Sequence, residues 1–594
     1  MRSLLIRLGA LALLLVPTAP GAATYHVNPD GGGDAHDGRS PGQAWKSFAP
    51  LRQVDLAPGD RVEVIAPGPL HHSLELTGAG TAEKPIVVRF APGRYDVHPA
   101  RLFRDTFAIS NTNADPDGRK AVALLLQNAN HVRITGPGAR LVCRGKMIEV
   151  GIDHCENVAI EGLAFDYHRP TVSEFRVIET GPDHAILAIH NDSTYTIADG
   201  KLTWTGEGWS HDGGLGQELD PETGRVHRMR DPLGGLVAEE LEPFTVKVHG
   251  KHRLKRDRIY QIRDPFRDCA GVFTRRSRDI AWKDVKFHFI HGMGVVSQFT
   301  ENLSFERVSV APDPESGRTT AAWADCFHFS GCRGRILVED CVFSGAHDDA
   351  INIHGTYLRV VETLGPRKVK LRFMHDQTHG FPAYNAGDEI DFVHADTLQP
   401  YSTNRVVASR LLDPRDIELT LEAPVPTDLR DHDVIENVTW TPEVEIRGCT
   451  VRHIPTRGFL LTTRRKVVVE DNDFHATHMP AILIAQDAGS WFESGAVRDV
   501  TIRRNRFDRC GEPVVQIDPS NRKPNPAVHR NIRIEDNRFE LRGAVAVGAH
   551  STAGLRVTGN TISGDPVPTA ETAIRTERCG DVMIDGNQYL PSGK

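Results

Sequence analysis

The sequence predicts an all-β protein, a right-handed parallel β-helix solenoid carrying two inserted β-barrel-like domains. Three observations predict it: one short pattern keeps returning along the chain, its shortest return is 23 residues, and two long stretches interrupt it. The pattern is a β-branched residue, any residue, a second β-branched residue, two polar residues that often include Asn, any residue, then Phe or Ile. Val500-Thr-Ile502-Arg-Arg-Asn505-Arg-Phe507 is one copy, and 532–539, 555–562 and 582–587 follow it. Earlier copies lie at 132–134, 158–165, 280–287, 303–310, 336–343, 444–451 and 467–474.

Alternation over a few residues signals a strand, and a polar or Asn position marks a bend that tolerates left-handed backbone angles. The central positions 282 and 305, 446 and 469, and 534 and 557 are each 23 residues apart, while other intervals stretch to 26, 27, 32 or 33. A fixed minimum with variable excess is the behaviour of a coil that carries loops. A period near 23 accommodates three short strands and their turns, the rung of a parallel β-helix. The Leu and Asn spacing of leucine-rich repeats is absent, as is the blade signature of propellers.

The pattern is lost over 168–278 and again over 356–440. Both stretches contain alternating runs, such as Ala185-Ile-Leu-Ala-Ile189, Val369-Lys-Leu-Arg-Phe373 and Ile417-Glu-Leu-Thr-Leu421, separated by Gly, Pro and Asp turns. They are expected to be inserted β-domains. The β-helix then comprises an N-terminal part at 24–167, catalytic coils at 279–355 and C-terminal coils at 441–594. Long insertions in repeat proteins cluster on one face and line the binding surface, so these two are expected to wall a substrate cleft.

Residues 1–23 read as a cleaved signal peptide: Arg2 and Arg7 flank the apolar run 8–16, and Pro17 and a small-residue stretch follow. The apolar run is too short for a membrane span, which needs roughly 20 residues. An exported protein, periplasmic or secreted, with no membrane span is the expectation. Removing the two arginines leaves 68 basic against 78 acidic residues and takes the net charge from −8 to −10, which argues against nucleic acid as a partner. Nine scattered cysteines do not form a disulfide scaffold, and their odd number prevents complete internal pairing. Cys341 and Cys449 occupy one position of the repeat, where a small apolar residue packs. A Cys326 to Cys332 bridge is left open.

The chemistry concentrates in Trp323-Ala-Asp325-Cys-Phe-His328-Phe-Ser-Gly331 and in Gly345-Ala-His347-Asp348-Asp349-Ala-Ile-Asn352-Ile-His354-Gly355. Asp325 and Asp348 are 23 residues apart, one minimum period, and are expected to stack on neighbouring coils with backbones about 4.8 Å apart. Asp349 then lies beside them. Like charges at close range push at least one pKa upward, so one acid can stay protonated while its neighbours hold and deprotonate a water. Inverting glycoside hydrolysis needs that division of labour, with carboxyls roughly 6.5 to 9.5 Å apart. Two other readings stay open from the residues: aspartates that cap turns, and a calcium or zinc site drawing on His328, His347 and His354.

The pairing of Asp325 with His347-Asp348-Asp349-Ala-Ile-Asn352 resembles the paired motif of the polygalacturonases, glycoside hydrolase family 28, although the Gly-His-Gly and Arg-Ile-Lys motifs of that family are absent. A fuller resemblance, over most of the mature chain, is to glycoside hydrolase family 110, the α-1,3-galactosidases. It rests on Asp325-Cys-Phe-His328 with Ser330-Gly331, His347 to Gly355, Thr462-Thr463-Arg464, and Ala481-Ile-Leu-Ile484 leading into Ser490-Trp491-Phe492-Glu493-Ser494-Gly495. The resemblance implies an inverting exo-glycosidase acting on a terminal α-1,3-linked galactose of blood-group B or linear α-1,3-galactosyl glycans. It implies Asp348 as general acid, Asp325 and Asp349 as the pair that positions and deprotonates water, and no metal or other cofactor. Trp491 would offer an apolar face to the sugar, and Glu493, Arg464, His328, His347, His354 and Asn352 would bind hydroxyls. The competing expectations are a family 28-like hydrolase or polysaccharide lyase acting on acidic glycans, and a non-catalytic glycan-binding β-helix.

Overall fold

The computed structural model describes residues 21–112 and 114–593; the signal-peptide expectation rests mainly on residues 1–20, outside the described residues. The repeat becomes a column. Ile134, Ile160, Trp282, Phe305, Val338, Ile446, Val469, Ile502, Ile534, Val557 and Ile584 stack through parallel pairing on one face of a solenoid. The alternation is what makes this face: Val467 and Val469 point inward and are fully buried, while Val468 between them is not.

Two further faces complete each coil. One carries the phenylalanine that closes the pattern, so Phe474, Phe507 and Phe539 stack with ring centroids 5.0 and 4.8 Å apart. At the bend leading to it the left-handed angle falls on the residue before the Asn, such as Arg504 and Asp536, and the Asn itself is buried. Asn472, Asn505, Asn537, Asn560 and Asn587 then form a ladder: each side-chain amide bonds to the Asn on the next coil at 2.9 to 3.0 Å. The remaining face includes the strands Ile148–Asp153, Val272–Arg275, Val295–Gln298, Phe327–Ser330, Ile351–Thr356 and Phe459–Leu461.

The solenoid resumes in register after each interruption, with Ile160 beside Trp282 and Val338 beside Ile446. The first interruption folds as a seven-stranded antiparallel sheet and a three-stranded sheet around Phe175, Leu187, Trp204 and Tyr260. Its sheet runs from Val226–Met229 to Val237–Glu242 without those end strands pairing. The second closes as a six-stranded barrel of strands from Leu358–Gly365 to Val434–Asn437, filled by Leu358, Leu371, Phe392, Ile417 and Ile435. All nine cysteines are free, Cys326 and Cys332 included, and eight are buried as packing residues. Among the described residues no helix is long and apolar enough to cross a membrane.

Candidate active site

The turn entering the strand Phe327–Ser330 carries Asp325, and the turn entering Ile351–Thr356 on the next coil carries Asp348 and Asp349. The register between these coils is not the expected 23. Phe327 lies against Ile351, so the coil-equivalent of Asp325 is Asp349, 24 residues on. Backbone bonds fix the stack: Cys326 N–H donates to the Asp349 carbonyl at 2.9 Å, and Asp349 N–H donates to Asp325 Oδ1 at 3.2 Å. Phe459 continues the column beyond Ile351, which places Arg457 after Asp349. Its N–H donates to Asp349 Oδ1 at 3.0 Å and its guanidinium to Oδ2 at 2.6 Å.

Asp348 stands one residue out of the column and is the most exposed of the three. Its side chain keeps 15% of its exposure, whereas Asp325 and Asp349 keep 2% and 1%. Arg228, from the first inserted domain, pairs with Asp348 Oδ2 at 2.6 Å, and Arg267 approaches the same oxygen at 3.5 Å. One oxygen from each of the three aspartates lies within 4.8 Å of the others, tighter than the expected gap. The trio is compact enough to hold a metal ion; Arg457 pairs with Asp349, Arg228 with Asp348 and His328 with Asp325, while His347 and His354 bond to Gln261 and the Gly355 carbonyl.

Burial and the Asp348 charge raise the Asp325 pKa well above the carboxylate range. Burial likewise pushes Asp349 up to about 7, against the pull of Arg457 and with the push of its two neighbours. For Asp348 burial opposes ionisation too, yet Arg228, Arg267, Arg457 and Arg263 together hold its pKa below the usual range. Asp348, the acid that the resemblance implies, is thus the member whose surroundings favour the charge, while burial favours the proton on Asp325 and Asp349. Groups this close share protons as a unit, so the unit supplies an acid and a base together.

His328 and His354 face each other behind the trio. His328 Nδ1 lies 2.9 Å from Asp325 Oδ2, the two Nε2 atoms are 3.0 Å apart, and His354 Nδ1 donates to the Gly355 carbonyl at 2.8 Å. Burial drops the His328 pKa to about 4 and lowers that of His354. The short strand Glu493–Ser494 pairs with the end of Ile351–Thr356 and delivers Glu493, whose Oε1 accepts from Asn111 at 3.1 Å and Asn352 at 3.4 Å. Asn352 Oδ1 is buried without a partner. Trp491 is 38% exposed and stacks on His375 of the barrel domain with centroids 4.0 Å apart.

Two expected sugar ligands take other positions. His347 bonds through Nε2 to Gln261 Oε1 at 3.0 Å, and its carbonyl accepts from Arg228, so it seats the first inserted domain. Arg464 bonds to Asp391 at 2.7 Å and Glu436 at 2.6 Å, fastening the barrel to the solenoid. Sequence reasoning missed Arg228, Arg267, Arg457, Asn111 and His375. Arg457 alone left a signal, its place two residues before an apolar strand, as Asp325 and Asp349 stand.

Fold and site together define a β-helix glycoside hydrolase, with three close carboxyls paired to arginines of the solenoid and of the first inserted domain. Known proteins then give the family. Family models match residues 173–258 as GLAA-B beta-barrel domain I, 368–435 as GLAA-B beta-barrel domain II and 434–589 as a right-handed beta helix region. The chain is 45% identical to an alpha-1,3-galactosidase A of Akkermansia muciniphila, covering 92% of each protein. It is 40% identical to an alpha-1,3-galactosidase A of Bacteroides thetaiotaomicron, covering 91% of this chain and 97% of that one. Among solved structures, a family 28 exopolygalacturonase of Yersinia enterocolitica aligns over 95% of this chain and 79% of that one, at 9% identity and a TM-score of 0.40. The chain belongs to glycoside hydrolase family 110.

Proposed function

We propose that this protein is an exported exo-glycosidase that hydrolyses a terminal α-1,3-linked galactose with inversion at the anomeric carbon. The carrying observation is the unequal placement of the three aspartates. Asp348 is the most exposed of the three, while Asp349 is pinned by Arg457 and both it and Asp325 are almost fully buried. A buried, pinned carboxylate cannot attack a sugar carbon, but it can hold and deprotonate a water. Asp348 then protonates the departing oxygen: once the sugar displaces its arginine contacts its pKa rises and it takes up a proton from solvent. Asp349 and Asp325 form the water side.

Trp491 supplies the apolar platform, and the free Asn352 Oδ1 and the Glu493 carboxylate accept sugar hydroxyls. Names borne by the relatives support galactose as that sugar. A second reading, retention through a covalent intermediate, draws on the short spacing of the carboxyls, since that mechanism uses a gap of about 5 to 5.5 Å. The deciding experiment follows free galactose by NMR from a branched B-type trisaccharide and from linear α-1,3-galactobiose. β-Galactose is expected as the first product; α-galactose first, or no release from any galactoside, overturns the proposal. Asp348→Asn should cost at least about 100-fold in kcat with the fold intact. Mass spectrometry of the N-terminus of the protein recovered outside the cytoplasm tests export.

A further inference from the structure

The hydrogen-bond chain behind the carboxyls has a direction that the protein itself sets. His354 Nδ1 lies 2.8 Å from the Gly355 carbonyl, and a carbonyl only accepts, so this nitrogen carries a proton. A proton must also lie between the two Nε2 atoms, since two lone pairs do not face each other at 3.0 Å. With His354 neutral, its Nε2 is the acceptor and His328 Nε2–H the donor. A neutral His328 then has a bare Nδ1, which must accept from Asp325 Oδ2, 2.9 Å away. The other oxygen of Asp325 accepts from Asp349 N–H.

We propose that the His354–His328 pair is a positioning relay that holds Asp325 as a neutral carboxylic acid, leaving Asp349 as the sole acceptor of the water's proton. The proposal rests on the hydrolytic reading above and assigns the roles within its water-side pair. In the reaction the water O–H bond breaks, its oxygen bonds to the anomeric carbon and its proton moves to Asp349. The glycosidic bond breaks and the departing oxygen takes the proton that Asp348 took up from solvent when the sugar displaced its arginines; Asp349 later releases the water's proton to solvent. Asp325 enters and leaves the step protonated, and its neutrality removes a negative charge from beside Asp349.

An ionised Asp325 would require an imidazolium: either His328 protonated on both nitrogens with the chain direction unchanged, or His354 with the direction reversed. The groups facing the pair are Asp348, Asp349, Glu493, Arg267 and Arg457. Glu493 would favour the imidazolium, 3.6 Å from His354 Nε2. Complete burial of both rings opposes it, as does the charge of Arg267 near His328.

The test is infrared spectroscopy of the full-length protein with its aspartates labelled by carbon-13 at the carboxyl, recorded without substrate above pH 8. The labelling excludes the buried glutamates Glu149 and Glu174, whose pKa values are also raised. One isotope-shifted band of a protonated carboxyl is expected there, after Asp349 has ionised, and it should vanish in Asp325→Asn. It should also vanish in His354→Phe, where His328 loses its acceptor and can turn a proton toward Asp325. No such band in the unsubstituted protein, or a band that survives Asp325→Asn or His354→Phe, overturns the proposal. Because no sugar is present, the outcome is independent of whether galactose is the substrate.

Discussion

Arg457→Met removes the guanidinium from Asp349 Oδ2 but keeps the backbone N–H that donates to Oδ1 at 3.0 Å. A hydrogen bond to a charged group is worth about 1.5 to 3 kcal/mol. At about 1.4 kcal/mol per unit, its loss raises the Asp349 pKa by roughly 1 to 2 units from its position near 7. If Asp349 takes the water's proton, it must be ionised in the sugar complex, where Asp348 is protonated, so the acid-side limb of kcat should move upward by that amount. kcat at pH 7 then falls about 5- to 50-fold and part of the loss returns as the pH rises. The pH profile of galactose release from α-1,3-galactobiose measures it. Stability gives a second readout. A carboxyl whose pKa is higher folded than unfolded stabilises the fold at low pH, and that contribution is lost as pH rises through the folded pKa. The variant's Tm deficit should therefore be larger at pH 8 than at pH 5. A uniform loss of rate at every pH, with the limb unmoved, refutes the assignment of Asp349 as base.

Asn505→Ala should lower unfolding stability by about 2 to 6 kcal/mol in urea, because Asn472 N–H and the Val469 carbonyl lose partners, at about 1 to 3 kcal/mol for each buried group. An effect under about 1 kcal/mol would mean the ladder does not hold the coils together. Arg464→Met strands the buried Glu436 carboxylate and should cost about 3 to 5 kcal/mol, seen as faster hydrogen exchange in the strand Val434–Asn437, with KM unchanged. A raised KM with normal stability would restore Arg464 as a sugar ligand. Trp491→Ala should raise KM up to about 10-fold with kcat nearly constant, the loss of about 1 kcal/mol of ring contact; an unchanged KM removes the platform.

The solenoid was legible because its signal is local: each coil writes the same alternation, bend and phenylalanine, and stacking places equal positions in columns. The closure of the inserted domains was not, since antiparallel runs such as 185–189 and 417–421 look alike whether their sheet ends meet or stay apart. The three aspartates were legible because they sit on consecutive coils with nothing inserted between them. Their arginines were not. Arg457 is the neighbour of Asp349 in space, but the whole barrel is threaded between them in sequence, and Arg228 arrives from the other insertion.

The register shows how a small geometric slip changes chemistry. The period of 23 was measured on the face that carries Trp282 and Phe305, where the strands between two bends are regular. On the catalytic face the step is also 23 from Val272 to Val295 and from Phe459 to Ile482, but the one from Phe327 to Ile351 is a residue longer. One residue along a strand exchanges the side chain facing the interior for the one facing out. Stacking Asp325 on Asp348 would have left two exposed, equivalent carboxylates. Stacking it on Asp349 buries both members of the pair under Arg457 and the two histidines and leaves Asp348 the most exposed of the three. The difference between a water-holding pair and a proton-delivering partner thus follows from the extra residue in that coil.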